Sequence, residues 1–360
     1  MLGNKGLLIA LALAGSLAVS SPLVPRSARA QTAPNPAAAP GSTPVIDVAG
    51  GVFDPASQAD VLEFLPKTVR IPAGGAIHWI IKGFHNVAFA SGEPYPPLLI
   101  PLAGEQSVQI NPLVAYPTQP QPTYDGTGYF NSGLPPEPGA PFDWTLTFTK
   151  PGTYEYACLV HPNMKATVVV EAAGTAVPTQ QEVTAQGQQE AEEYIAGARM
   201  AAEQQEATRA PGPDGTSTWT VPMDIPNDPH TAVDRFFPQH LTVQVGDAVR
   251  WVNPALTEPH TVTFRAGEPR ENEFIPRPQA DGPPLIVANP KVFPPVMPTG
   301  ATYDGKSYVN SGFLGEGSPF GREWALTFTE PGIYPYVCVL HEALGMAGFI
   351  TVEPATSPAG

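Results

Sequence analysis

The chain has 360 residues and a formal net charge of −15, with 33 acidic against 18 basic side chains. That excess excludes nucleic acid and anionic lipid surfaces as natural partners, because both would repel it. Forty-six prolines and 34 glycines point away from a helical protein and towards a loop-rich β protein.

Residues 1–30 read as an export signal. Lys5 supplies the positive start, Gly6 to Val19 the apolar stretch, and Ala28-Arg29-Ala30 a small-x-small cleavage site. The apolar run is shorter than the ~20 residues that span a bilayer, no cysteine follows it, and no other long apolar stretch exists. The expected product is an exported chain, periplasmic or extracellular, with no membrane span. Lys5, Arg26 and Arg29 leave with the leader, which makes the remainder more acidic still and favours a basic partner. Residues 31–44 form an Ala/Pro-rich flexible arm.

From residue 45 the hydrophobic period is two, with turn residues between runs, which marks strands. Thr68-Val69-Arg70-Ile71 and residues 76–80 alternate around Pro72-Ala73-Gly74-Gly75. Residues 144–148, the Lys150-Pro151-Gly152 turn and residues 153–158 read as a hairpin, and residues 166–171 close a first domain, 45–173. Residues 174–216 form a linker. Its Gln/Glu/Ala-rich part, 180–207, reads as a solvated helical spacer ended by Pro211-Gly212-Pro213. A second domain, 217–354, repeats the strand pattern, and 355–360 is a tail. The Pro-rich stretches 94–141 and 269–319 are long for hairpin loops and read as ordered excursions over one end of each domain.

The second domain is a copy of the first. LTFTKPGTYEYACLVH from Leu146 matches LTFTEPGIYPYVCVLH from Leu326, and HNVAFASGEP from His85 matches HTVTFRAGEP from His260. Tyr124-Asp125-Gly126 and Asn131-Ser132-Gly133 recur as Tyr303-Asp304-Gly305 and Asn310-Ser311-Gly312. A tandem repeat does not bring Cys158 and Cys338 together, so a disulfide between them is not expected despite the export signal.

Each copy ends in a loop with chemistry: Cys158-x₂-His161-x₂-Met164 in the first and Cys338-x₂-His341-x₄-Met346 in the second, with His85 and His260 upstream. One thiolate, two imidazoles and one thioether make the donor set of a trigonal copper site with a weak axial methionine. Soft sulfur suits Cu(I) and imidazole suits Cu(II) as well, so a rigid set of this kind rearranges little when one electron moves. Cys-x₂-His alone is weak, since zinc sites also use it; a doubled Tyr-x-Tyr-x-Cys-x₂-His followed by Met, each with its upstream His, is specific.

Both halves resemble the cupredoxins, the blue copper proteins of the plastocyanin, amicyanin and azurin group. The first ligand loop is similar to that of amicyanin and the second to that of plastocyanin, including Gly345 just before Met346. The resemblance implies an all-β fold: two tandem Greek-key β-sandwiches joined by a partly helical linker. It implies two type 1 coppers, one on His85, Cys158, His161 and Met164, the other on His260, Cys338, His341 and Met346. It also implies that electrons leave through the exposed edges of His161 and His341. In the family an asparagine after the first histidine ties the ligand loops together; here that residue is Asn86 in one copy but Thr261 in the other. Pro162 follows His161, whereas Glu342 follows His341 and puts charge at the expected port.

The implied function is single-electron transfer between a redox protein donor and acceptor, without turnover. A two-domain copper oxidoreductase, like a nitrite reductase or multicopper oxidase, is the rival. It would need a further copper site, and only His78, His230 and His240 remain, with no His-x-His pair and no histidine flanking either cysteine. An envelope copper carrier is the third reading.

Overall fold

The computed structural model describes residues 44–118, 123–136 and 140–355. The expected leader, nearly all of the arm and most of the tail lie outside the described residues.

Four sheets form two sandwiches with matching strand order, so the fold is all-β. In the first half one sheet runs Ala59–Leu65, Val45–Asp54, Ala76–Ile81, Phe142–Phe148, Thr123–Tyr124. The facing sheet runs Thr68–Pro72, Lys165–Glu171, Gly152–Ala157, Ala88–Phe89, Phe130–Asn131. The second half repeats both. One sheet has Thr208–Pro211, Ser217–Pro222, Ala248–Val252, Glu323–Phe328, Ala301–Tyr303, and the other His240–Gln244, Ala347–Glu353, Gly332–Val337, Thr263–Phe264, Val309–Asn310. Each half mixes parallel and antiparallel pairs at equivalent places: Val45–Asp54 runs parallel to Ala76–Ile81, as Ser217–Pro222 does to Ala248–Val252.

The period-two pattern places alternate residues inside. Val69 and Ile71, Ile77 and Trp79, Leu146 and Phe148, and Val168 and Val170 are buried, and meet as one core. Val243, Trp251, Trp324, Leu326, Ile350 and Val352 do the same in the second half. Each fully buried Phe, such as Phe89 or Phe264, contributes about 1.5–3 kcal/mol relative to exposure. Trp79 stacks on Trp144, and Trp251 lies against Trp324 at the same register, so the repeat extends to the aromatic centre of each core.

Residues 142–157 are not the hairpin that their pattern suggests. Phe142–Phe148 and Gly152–Ala157 belong to opposite sheets, and the turn between them carries the chain across the sandwich. Phe148 donates instead to Gly75 O, and Thr149 to Tyr124 O. Alternation shows which face is buried; it does not identify the neighbouring strand.

Of the expected helix 180–207, residues 180–202 are helical but not a free spacer, and Thr208–Pro211, expected in the linker, is a strand of the second half. Thr179 and Glu182 form a reciprocal capping box at the start. Val183, Gly187, Ala191, Ala198 and Ala202 form a buried stripe against the first half. At Gly187 a Cβ would come within 3.1 Å of the Leu65 carbonyl, so a small residue is needed for the close approach. Glu190 then accepts from Lys67 N. Gln, Glu and Ala hid this face because small residues carry little hydropathy.

The two halves are also joined directly. Strand Thr231–Val233, from the second half of the sequence, extends the first sheet by pairing antiparallel with Ala59–Leu65. Ala59, Ala198, Ala202, Ile225, Val233 and Phe237 share one small core. The two Pro-rich excursions meet as well: Leu99–Pro101 and Val108–Ile110 join Leu285–Ala288 and Phe274–Arg277 in a four-stranded sheet.

Candidate metal centres

In the first half, His85 and His161 bring their Nδ1 atoms to 2.8 Å of each other, with Cys158 Sγ 3.9 Å from the one and 3.7 Å from the other. In the second, His260 and His341 Nδ1 are 3.0 Å apart, and Cys338 Sγ lies 3.8 and 3.5 Å from them. Each trio converges closely enough to hold one metal ion, and no other such group of histidine, cysteine and carboxylate occurs among the described residues. Both cysteines are free and buried. Met164 and Met346 are fully buried in the same cores as their cysteines.

Local backbone geometry builds each trio. A strand delivers the cysteine, and the following loop turns back on itself: Cys158 N donates to Met164 O at 2.9 Å and Met164 N to His161 O at 3.0 Å. The longer second loop closes the same way, with Cys338 N to Met346 O at 3.0 Å and Met346 N to His341 O at 3.1 Å. It includes a single 3₁₀ turn, Glu342–Leu344, ended by Gly345 at φ 93°, a conformation suited to glycine. The loop with the first histidine is tied on from the side. Asn86 Oδ1 accepts from Leu159 N at 2.7 Å, and Thr261 Oγ1 accepts from Val339 N at 2.8 Å, so threonine makes the tie expected of asparagine. Thr261 N also donates to Cys338 Sγ at 3.3 Å.

The electrostatics suit thiolate ligation. Burial alone would push both thiols up, but the histidines beside them hold Cys158 and Cys338 well below the usual thiol range. The imidazoles differ. Burial lowers His85. Burial also opposes charge on His260, yet Asp224 and Cys338 raise it to about 9. His161 rises to about 10 against its burial, chiefly through Glu258 and Cys158.

The expected exposure of His161 and His341 is not found. Their side chains are 7 % and 13 % exposed. Their Nε2 edges face each other's half across one carboxylate, with Glu258 Oε1 2.6 Å from His161 and Oε2 3.2 Å from His341. Strand Thr231–Val233, which passes from the second half into the first sheet, is the exchanged strand that joins the halves. Three more carboxyls gather there. Asp224 Oδ2 is 3.1 Å from His260 Nε2, Asp234 Oδ1 is 3.4 Å from His341 Nδ1, and Asp60 sits opposite Ala232 on the exchanged strand. Burial raises Asp60 to about 7 and Asp234 to about 8, whereas Glu258 stays well down because His161 and His341 outweigh its burial. Nor does Glu342 present a free charge. Arg265 clamps both its oxygens, at 2.8 and 2.6 Å, and Arg270 is nearby at 3.5 Å.

The remaining histidines are engaged elsewhere. His78 bonds Asp47 and faces Asp143, His230 contacts Glu63, and His240 bonds Thr351 and stacks on Phe349. The sequence reading missed Asp60, Asp224, Asp234 and Glu258. Two had a signal: Asp224 stands alone between Met223 and Ile225, and Glu258 occupies the place that Gly83 holds in the first copy.

Residues 229–353 match the family described as copper binding proteins, plastocyanin/azurin family. Among solved structures, the chain is similar to a Cu(I) amicyanin mutant at 22 % identity, covering 38 % of this chain and 82 % of that one with a TM-score of 0.22. An oxidised amicyanin mutant aligns at 22 % identity over 41 % of this chain and 99 % of that one, also with a TM-score of 0.22. No helix among the described residues is long and apolar enough to cross a membrane.

Proposed function

We propose that this cupredoxin-like, copper-binding chain is an exported carrier of single electrons with two type 1 copper sites, one in each half. The observation that carries the reading is the repeated, buried convergence of two Nδ1 atoms and one Sγ. Copper bound there would supply a Cu(I)/Cu(II) couple. The donor set fits it: two imidazoles and a thiolate held low, with a buried thioether placed by the same loop.

The protein's own part is to fix the donors and exclude water. His85 and His260 are held by the sandwich behind them, and His161 and His341 by the loops just described. A rigid, buried set of donors has little to rearrange on oxidation or reduction. Because Glu258 joins the inner histidine edges, the geometry favours two sites that serve each other over two separate ports. Donor and acceptor are then redox proteins, with basic surfaces favoured by the chain's acidity.

The test is copper loading of the full exported chain. Two equivalents of copper, intense visible absorption, and reversible one-electron titration of each are expected. A third equivalent with nitrite or oxygen turnover would establish the oxidoreductase instead. Uptake restricted to Cu(I), with transfer to a partner and no electron exchange, would establish the carrier.

A further inference from the structure

We propose that the cavity between the two Pro-rich excursions is a binding site for a small organic cation, an alkyl- or arylammonium ion, with Glu273 as its counter-charge. The inference goes beyond the copper reading and does not depend on it.

The cavity has a volume of about 560 Å³, within the range of sites that enclose a small molecule. Both halves build it. Phe84, Tyr116 and Phe142 come from the first, and Arg270, Glu273 and Phe274 from the second. The frame is tied across the halves: Tyr116 Oη donates to Pro284 O at 2.5 Å, and strands of both excursions share one sheet. Its walls are mostly apolar, and the four aromatic rings among them are each only partly buried.

One side chain in this lining is out of keeping with the rest. Glu273 is only 9 % exposed, yet among the described residues no other side chain hydrogen-bonds to its carboxylate. Arg270, the one cation among the described lining residues, sets its Nε 3.5 Å from Glu342 instead. The main chain from which the acid projects is pinned: Asn289 N donates to Glu273 O at 2.9 Å, and Asn289 Nδ2 to Asn272 O at 2.6 Å. A buried acid without a partner is costly, and burial raises the pKa of this one. An entering cation supplies the missing charge, and aromatic faces attract the same ion through their quadrupoles. An anion would meet both Glu273 and the chain's net charge of −15, and a neutral ligand would bring no charge to pair with the carboxylate.

The test is titration of the full chain, with and without copper, by three probes of similar size: benzylammonium, benzyl alcohol and benzoate. Benzylammonium should bind about tenfold tighter than benzyl alcohol, and benzoate should not bind. Glu273→Gln should remove that preference, weakening benzylammonium about tenfold and leaving benzyl alcohol unchanged. Glu105→Gln removes an exposed acid, paired with Arg277 at the turn of the same four-stranded sheet, and should change neither. Equal affinity for benzylammonium and benzyl alcohol would overturn the proposal. So would an equal loss in Glu105→Gln, which would assign the effect to net charge, or tighter binding of benzoate, which would make Arg270 the anchor. Absence of saturable binding by all three probes would overturn it as well, and would leave the copper reading intact. Should Glu273→Gln not fold, the comparison of the three probes on the unaltered chain still decides.

Discussion

The two centres share a donor set but differ behind the first imidazole, and the difference traces to one position of the repeat. Register aligns the halves: Val48 lies opposite Trp79, and Val221 opposite Trp251. Three residues further along the first of these strands come Gly51 and Asp224, both with left-handed backbone, at φ 84° and 81°. In the second half the Asp224 carboxylate reaches His260 Nε2 and also accepts from Ile225 N and Val233 N. In the first half, a Cβ on Gly51 would lie 2.6 Å from His85 Nε2, which is buried without a partner. The histidine loop of the second copy is longer, which makes room for a side chain. The lesson is that the repeat keeps the converging His and Cys side chains and lets their supports diverge. Unequal potentials are the expected result, since partners of a ligating imidazole raise its basicity.

The severest way to break the comparison is to remove one thiolate at a time. Cys158→Ser should abolish the visible absorption of the first centre and halve the copper bound; Cys338→Ser should do so for the second. Spectra of the two variants should differ and together should account for that of the unaltered chain. If either substitution removes both bands, the centres are not the separate units described here.

Next in size is Gly51→Ala, which attacks the first centre through its backbone. The positive φ, together with approaches of 2.4 Å to Lys82 O and 2.6 Å to His85, leaves no space for a methyl group. About 2–4 kcal/mol of stability should be lost, read from urea unfolding. An unchanged midpoint would mean that the bulge between Gly50 and Val52 is softer than the register indicates. Asp224→Asn is the counterpart in the second half. It keeps one oxygen for the backbone but can set an amide donor against His260 Nε2–H. Copper affinity of the second site should fall by about 10–100-fold, with the first unchanged; chelator competition in the Cys158→Ser background measures it.

How far the sequence carried these conclusions varies with the range of the interaction. The convergence of His85, Cys158 and His161, and of His260, Cys338 and His341, was legible because each loop carries its own spacing and the repeat doubled the signal. The strands were legible from alternation, although their partners were not, which is why residues 142–157 looked like a hairpin. Helix Gln180–Ala202 was visible, yet its docking face of Gly187, Ala191 and Ala198 was not, because small residues bury by shape rather than by hydropathy. Least legible were the contacts between halves. Nothing near Glu258 announces His161, almost a hundred residues away, and burial of that histidine reversed the expectation of an exposed port.

The smallest expected effect concerns a pair far from both ligand loops. His78 and Arg250 occupy matching strands, the first between Asp47 and Asp143 and the second beside Thr220 and Glu323. Arginine stays charged throughout, but histidine does not. The hydrogen bond that His78 donates to Asp47 raises its pKa despite partial burial, with Asp143 adding to it. A folded-state pKa above the unfolded one makes this contribution fully present below about pH 6.5. It is lost as pH rises through the folded value. Both acids are largely exposed, so the gain is at most about 1 kcal/mol. His78→Gln should therefore destabilise the chain slightly at pH 5.5 and not at pH 9. His78→Arg should flatten that difference, making the first half behave as the second does. A destabilisation by His78→Gln that is equal at both pH values would assign the residue to packing, not to charge.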